Sequence, residues 1–280
     1  MPTAKGSYGA TLHYAVHDYT DRWRKANTMI LIHGFARSGD FWFGMIPYLA
    51  RFYRVICPDL RGLGKSLPLA DPANAISIEA YIGDIEAVAD HAGADTFHLV
   101  GEAIGGAITL IFAAERPRRV RTLSVLAPAV WANDWIRNAY AVGYPSWVEA
   151  IRALGVEGWV RKSNTLARFP ADFDPAFMDW YAREVGKADV DVVTAMVDFA
   201  GSVDAKPYLE RIKAPVLALY PTGSNISSAD QEAALREHIA SVRVTHLNSR
   251  YAMLGMLQPA ACANQILNFA AVNDGIVCQE

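Results

Sequence analysis

Residues 101–105 read Gly-Glu-Ala-Ile-Gly, the spacing of a strained turn that joins a strand to a helix. Such a turn lifts its central residue over the end of a sheet, where a serine hydroxyl can attack a carbonyl carbon. Here the central residue is Ala103, whose methyl group supplies no nucleophile. The sequence therefore predicts a site shaped for covalent attack that lacks the attacking atom.

The elements that would position this site are short apolar runs, each followed by turn residues and a helical stretch. Continuous apolarity is typical of strands covered on both faces, and amphipathic helices between them, such as residues 78–89, make the repeating unit β-α-β. We therefore predict an α/β fold with a mostly parallel sheet flanked by helices. The predicted strands include residues 29–32, 55–57, 97–100, 122–126, 216–220 and 242–245.

Residues 129–213 interrupt this rhythm, because they separate two strands that a single crossover helix would normally join. We predict that they form an inserted helical lid, and that residues 1–128 and 214–280 form the core. The lid is rich in aromatic side chains, most of which are expected to hold it together. Trp131 and Trp135 are predicted to contact a ligand, since they are nearest to the strand end.

Three segments carry a resemblance to a known family. They are residues 33–37 (His-Gly-Phe-Ala-Arg), 58–66 (Pro-Asp-Leu-Arg-Gly-Leu-Gly-Lys-Ser) and 101–106 (Gly-Glu-Ala-Ile-Gly-Gly). In this order and spacing they resemble the landmarks of the α/β-hydrolase fold superfamily, of the serine hydrolase type with a helical lid. The resemblance covers nearly the whole chain.

The resemblance implies an oxyanion hole, in which preorganised backbone N–H groups hold developing negative charge. Its donors would be the amides of Phe35 and Ile104, and Gly34 would allow the tight bend of the loop. Arg37 could either form a surface salt bridge or grip a substrate carboxylate. Asp59 and Arg61 are expected to organise their own turn rather than to act on a substrate.

The resemblance also implies a histidine base after the last strand, seven residues before a proline. Counting back from Pro259 reaches Ala252, and a shifted register would reach Tyr251 or Arg250. His246 is expected to be structural, because its side chain would leave from a strand.

No triad acid can be assigned. The loop after residues 216–220 has no carboxylate at the expected place, and Ser228 with Gln231 predicts a capping box that puts Asp230 in the first turn of a helix. Asp134 is the nearest candidate after the preceding strand.

Loss of both reactive groups removes acyl-enzyme chemistry but leaves a cradle for the substrate. We favour a serine hydrolase whose serine at 103 and histidine at 252 were replaced, acting in its parent form on a small apolar, aromatic ester, lactone, amide or C–C substrate. Its neighbouring residues remain those of a working site. The alternative is a natural non-catalytic binding protein or receptor on the same fold; cofactor-free lyase or oxygenase chemistry would still need a histidine.

Composition sets the remaining expectations. A net charge of −3 gives no reason to expect nucleic acid or an anionic membrane as partner, so a small molecule is the predicted ligand. Three cysteines without C-x-x-C spacing, and no leader or apolar run of membrane-spanning length, favour the cytoplasm. No metal or organic cofactor is predicted, since no H-E-x-x-H, cysteine cluster or dinucleotide turn occurs. No oligomeric state is predicted.

Overall fold

The computed structural model describes residues 2–132, 134–224, 226 and 228–276, with only the backbone of residues 134 and 135. It contains one eight-stranded sheet in the order β1-β2-β4-β3-β5-β6-β7-β8. β3 to β8 run parallel, whereas β1 and β2 pair antiparallel at one edge. The strands are β1 (Thr3–Lys5), β2 (Thr11–His17), β3 (Thr28–Ile32), β4 (Arg54–Pro58), β5 (Phe97–Glu102), β6 (Val120–Leu126), β7 (Val216–Pro221) and β8 (Val242–Leu247).

The helices lie on both sides of this sheet, so the predicted fold class is confirmed. Short 3-10 helices cover Ser7–Gly9, Gly39–Trp42 and Lys206–Arg211. The α-helices are α1 (Ile46–Leu49), α2 (Pro72–Ala75), α3 (Ile78–His91), α4 (Ile104–Glu115), α5 (Asp134–Tyr140), α6 (Trp147–Ala167), α7 (Pro175–Gly186), α8 (Val190–Ser202), α9 (Ala229–His238), α10 (Leu254–Leu257) and α11 (Pro259–Asp274).

Continuous apolarity in β3 reflects burial on both faces of the sheet. Successive side chains of a strand point to opposite faces, so Ile30 and Ile32 pack in one apolar core with α3 and α4, whereas Met29 and Leu31 pack in another with α1 and α11. Every residue of β3, β5 and β7 is buried. The edge strand β8 has no fully buried residue, because only one neighbouring strand covers it.

Helix α3 follows its prediction closely. It begins at Ile78, where the Ser77 hydroxyl accepts a hydrogen bond from the amide of Ala80, and it ends two residues beyond the predicted residue 89, at His91. Its buried face includes Tyr81 and Ile85, as its apolar spacing predicts. The antiparallel strands β1 and β2 were not predicted.

Four helices, α5 to α8, lie between β6 and β7, within the segment 129–213. Their apolar side chains form a third core that also contains Ala36, Ala127 and Met253 from the loops at the carboxyl ends of the strands. The segment therefore covers the carboxyl ends of the strands. Its description as a lid with boundaries at 129 and 213 stays a prediction. Within the described residues, no helix combines the length and apolarity needed to cross a bilayer.

Candidate functional site

The turn at Ala103 keeps the strained geometry of a nucleophile elbow. Its φ of 52° and ψ of −118° lie outside the regions that residues with a Cβ prefer. The backbone enforces this conformation: the Ala103 amide donates to the Leu126 carbonyl, and its own carbonyl accepts from the amide of Ala129, both at 3.0 Å. Ala36 and Ala127, which follow the adjacent strands β3 and β6, also have positive φ. Strained residues thus cluster at the carboxyl ends of the central strands, and such clusters are typical of functional sites.

Small residues allow α4 to begin directly beside the sheet. A Cβ at Gly105 would collide with the carbonyl oxygens of Ile32 and His33, and one at Gly101 would collide with Thr109. The glycines at 101 and 105 are therefore required by close approach of the backbone. This tight packing aims the amino end of α4 at the site.

Phe35 and Ile104 carry the two predicted donor amides of this site. Both residues line the same cavity, and among the described atoms no acceptor takes either amide hydrogen. Ile104 is the first residue of α4, so its N–H belongs to the positive end of the helix. These two donors can polarise a carbonyl oxygen, although their role as an oxyanion hole stays a prediction.

His33 holds the loop that carries Phe35. Its Nδ1 lies 2.8 Å from the Gly34 carbonyl, and its Nε2 accepts from the Leu60 amide at 3.0 Å. Burial lowers the pKa of His33 to about 4, so the ring is neutral at pH 7. Both ring nitrogens are occupied, which leaves this histidine no part as a base.

A cavity of about 570 Å³ opens beside Ala103. Aromatic side chains form much of its wall, and Trp131 is among them, whereas the side chain of Trp135 lies outside the described residues. Contact of Trp131 with a ligand stays a prediction. Burial raises the pKa of Tyr140, so its phenol stays protonated at neutral pH. The aromatic lining consists of Phe35, Trp131, Tyr140, Trp147 and Tyr181.

A family model described as "alpha/beta hydrolase fold" matches residues 27–176, which is more than half of the chain and includes all three landmark segments. This chain belongs to the alpha/beta hydrolase fold family. The predicted superfamily is thereby confirmed.

Individual relatives agree with this assignment. The chain is 34% identical over 143 residues to a putative carbamate hydrolase, RutD, of Azorhizobium caulinodans, matching 51% of this chain and 50% of that protein. It is 37% identical over 100 residues to a fluoroacetate dehalogenase of a Burkholderia species, matching 35% and 33% of the two chains. The chain thus spans a third to a half of the length of these curated relatives.

A solved structure matches over a greater length. The enol-lactonase from Burkholderia xenovorans LB400 superposes with a TM-score of 0.81, covering 96% of this chain and 99% of that one at 20% identity. A likeness at this identity concerns the fold.

In this member of the alpha/beta hydrolase fold family, the segment expected to carry the base places Met253 rather than Ala252 on the cavity wall. Ala252 is buried among apolar side chains, and its amide donates to the Ala167 carbonyl at 3.1 Å. Arg250 and His246 are both exposed, and Nε2 of His246 lies 2.8 Å from Glu232. Ala252 as the position of the base stays a prediction. Met253 is the alternative position, because it is the residue of this segment that lines the cavity.

The capping box predicted at Ser228 and Gln231 is wrong. Ser228 begins α9 without a side-chain cap, and the fully buried Gln231 reaches away from the helix. Its Oε1 accepts from the Val130 amide at 2.9 Å and its Nε2 donates to the Trp131 carbonyl at 3.1 Å. Gln231 therefore fixes the chain that leads from β6 into the cavity wall.

The structure describes the side chain of only one of the two carboxylates considered as triad acid. Asp230 is exposed in the first turn of α9, and the side chain of Asp134 lies outside the described residues. Asp59 accepts hydrogen bonds from the amides of Gly39 and Lys65, and Arg61 pairs with Asp84. Asp59 thus organises its own turn as expected, whereas Arg61 ties that turn to α3 through Asp84 instead of acting within the turn.

Arg37 is buried, so a surface salt bridge is the wrong description. Its Nη1 lies 2.5 Å from Oε2 of Glu102, and the two side chains are only 2% and 3% exposed. Gly34 makes room for this pair, because a Cβ there would collide with the Arg37 guanidinium. Gly34 does not adopt positive φ, so space rather than a tight bend requires a glycine. Arg37 lines the cavity, and its contact with a ligand carboxylate stays a prediction.

Proposed function

We propose that this chain binds a small aromatic carbonyl compound in its cavity and does not cleave it through an acyl-enzyme. The observation that carries the proposal is the elbow itself: a methyl group stands at the strained central position, beside two amides that have no acceptor in the described structure. The turn and the amides that would hold a substrate are thus present without a nucleophile. The proposal holds whether Ala103 arose by replacement or by descent.

The two serine hydroxyl groups on the described cavity wall do not substitute for the missing serine. Ser146 caps α6, where its Oγ accepts from the amide of Glu149 and lies 3.0 Å from the carboxylate of that residue. The Ser202 hydroxyl donates to the Phe199 carbonyl at 3.0 Å. No histidine belongs to the described lining, so neither hydroxyl has an imidazole to remove its proton.

The chemistry of the ligand follows from the wall. Aromatic rings favour a flat apolar body, and the free amides favour one carbonyl oxygen. The names of the relatives, a carbamate hydrolase and an enol-lactonase, also refer to carbonyl compounds. A parent or related enzyme would therefore be a hydrolase of such a compound.

The test is to rebuild the nucleophile and the base. We expect Ala103→Ser combined with either Ala252→His or Met253→His to restore hydrolysis of 4-nitrophenyl esters with a stoichiometric burst, and the unaltered chain to show no burst. The productive partner identifies the base position. Ala132→Ser with the same histidine is the matched control, because Ala132 also lines the cavity but does not stand at the central position of the elbow.

Binding is measured on the unaltered chain by quenching of tryptophan fluorescence with 2-naphthamide. Saturable quenching that is lost when Ile104→Trp fills the cavity supports the proposal. A burst in the unaltered chain, or absence of saturable binding, contradicts it.

A further inference from the structure

Arg168 is a buried cation for which no carboxylate partner exists among the described residues. It caps the C-terminal end of α6, is 6% exposed and lines the cavity. The other two arginines buried to this degree in the described structure, Arg37 and Arg61, pair with Glu102 and Asp84 at 2.5 Å. A buried charge is normally paired, because its removal from water is energetically costly. Arg168 therefore departs from the pattern of its own protein.

Neutral groups hold the Arg168 guanidinium in place. Its Cζ lies 4.4 Å from the ring centre of Tyr140 and 4.9 Å from that of Trp159, and its Nη1 donates to the Ser163 hydroxyl at 2.9 Å. The C-terminal dipole of α6 also favours a cation here. These contacts fix the direction of the guanidinium, but none of them supplies a negative charge. Arginine has five N–H donors in a planar fork that suits a carboxylate.

The other charges on the cavity wall do not neutralise Arg168. Arg37 is already paired with Glu102. Arg137 and Asp198 are exposed, and Arg137 donates to the Gly201 carbonyl. Within the described part of the lining, the buried interior thus carries one uncompensated positive charge.

We propose that Arg168 anchors the carboxylate of an anionic aromatic ligand in this cavity. The inference rests on the proposed function and specifies its ligand class: an aromatic monocarboxylate whose ring lies against the aromatic wall. A preformed guanidinium, held by two rings and a hydroxyl, loses little freedom when it binds a carboxylate.

The experiment compares two probes of equal shape by isothermal titration calorimetry. 2-Naphthoate carries a carboxylate and 2-naphthamide is its neutral counterpart. We expect the unaltered chain to bind 2-naphthoate at least about tenfold more tightly, as a charge-assisted hydrogen bond allows. Arg168→Met should abolish this preference, measured as the ratio of the dissociation constants of the two probes.

Two further variants keep the test sound if Arg168→Met folds poorly. Arg168→Lys keeps the charge but not the fork, so it should retain part of the preference for 2-naphthoate. Arg137→Met removes an exposed arginine at the same cavity and should leave the preference intact.

Equal binding of both probes by the unaltered chain would refute the anchor and leave the proposed binding function standing. Failure of both probes to bind would overturn both proposals. If Arg137→Met loses the preference and Arg168→Met keeps it, Arg168 is not the anchor and the proposal is refuted.

Discussion

The buried pair of Arg37 and Glu102 predicts a large, non-additive effect on stability. The two charges lie 2.5 Å apart with almost no exposure to water. At an effective dielectric constant of about 20, their attraction is about 7 kcal/mol, which is similar to the cost of removing both ions from water. The pair as a whole therefore contributes little net free energy. Either ion alone is strongly destabilising.

We expect Arg37→Met to lower the free energy of unfolding by about 3–5 kcal/mol, because it leaves the Glu102 carboxylate buried and unpaired. Glu102→Leu should cost a similar amount by stranding Arg37. The double variant should be more stable than either single variant, because no buried charge remains. The coupling free energy should then exceed about 3 kcal/mol.

Urea unfolding at pH 7, followed by tryptophan fluorescence and far-UV circular dichroism, measures the full cycle. The matched control is Arg152→Met, which breaks an ion pair with Asp191 whose side chains are 56% and 68% exposed. It should change the free energy of unfolding by less than about 1 kcal/mol. A cost below about 1 kcal/mol for Arg37→Met, or additive effects in the double variant, would refute the reasoning.

Three further predictions follow from single residues. Burial depresses the pKa of His33 to about 4 from an unfolded value of about 6.5, so between these pH values the unfolded chain binds a proton that the folded chain does not. The contribution of the neutral ring to stability should be complete above pH 6.5, and the free energy of unfolding should fall by about 3 kcal/mol toward pH 4. In urea titrations across this pH range, His33→Gln should flatten the slope. Ala103→Gly should raise the free energy of unfolding by about 1 kcal/mol, because glycine relieves the strain at φ 52°. The control Ala107→Gly, within α4, should lower the free energy of unfolding. If both variants lower it, the turn at Ala103 is not strained. Gln231→Leu should cost about 2–4 kcal/mol by leaving an amide and a carbonyl of the cavity wall unpaired, and a thermal or urea midpoint equal to that of the unaltered chain would contradict this.

The fold was accessible from the sequence to a considerable extent. Strands such as β3 and β5 lie between two layers of helices, so every residue is buried and each strand contains a run of consecutive apolar side chains. The strand β2 escaped prediction because its sequence, Thr-Leu-His-Tyr-Ala-Val-His, mixes polar and apolar residues and gains its partners by pairing with β4. Its place depends on a strand far along the chain.

The site was accessible only in its local parts. The elbow at Ala103 is encoded by neighbouring glycines, whose spacing is visible in five residues. Gln231 looked like a helix cap because the sequence shows its neighbour Ser228, whereas the fold brings the backbone of Val130 within hydrogen-bonding distance. The position of the base similarly depends on which of Ala252 and Met253 the loop turns toward the cavity.

The sequence by itself determined the six parallel strands of the sheet, the strained turn and the absence of a hydroxyl at its centre, because each depends on residues adjacent along the chain. Tertiary structure decided which buried charges have a partner of opposite charge. Arg37 meets a carboxylate 65 residues away, whereas Arg168 enters the cavity without one in the described structure. Neither outcome follows from local spacing, since pairing of buried charges depends on which distant segments the fold brings together.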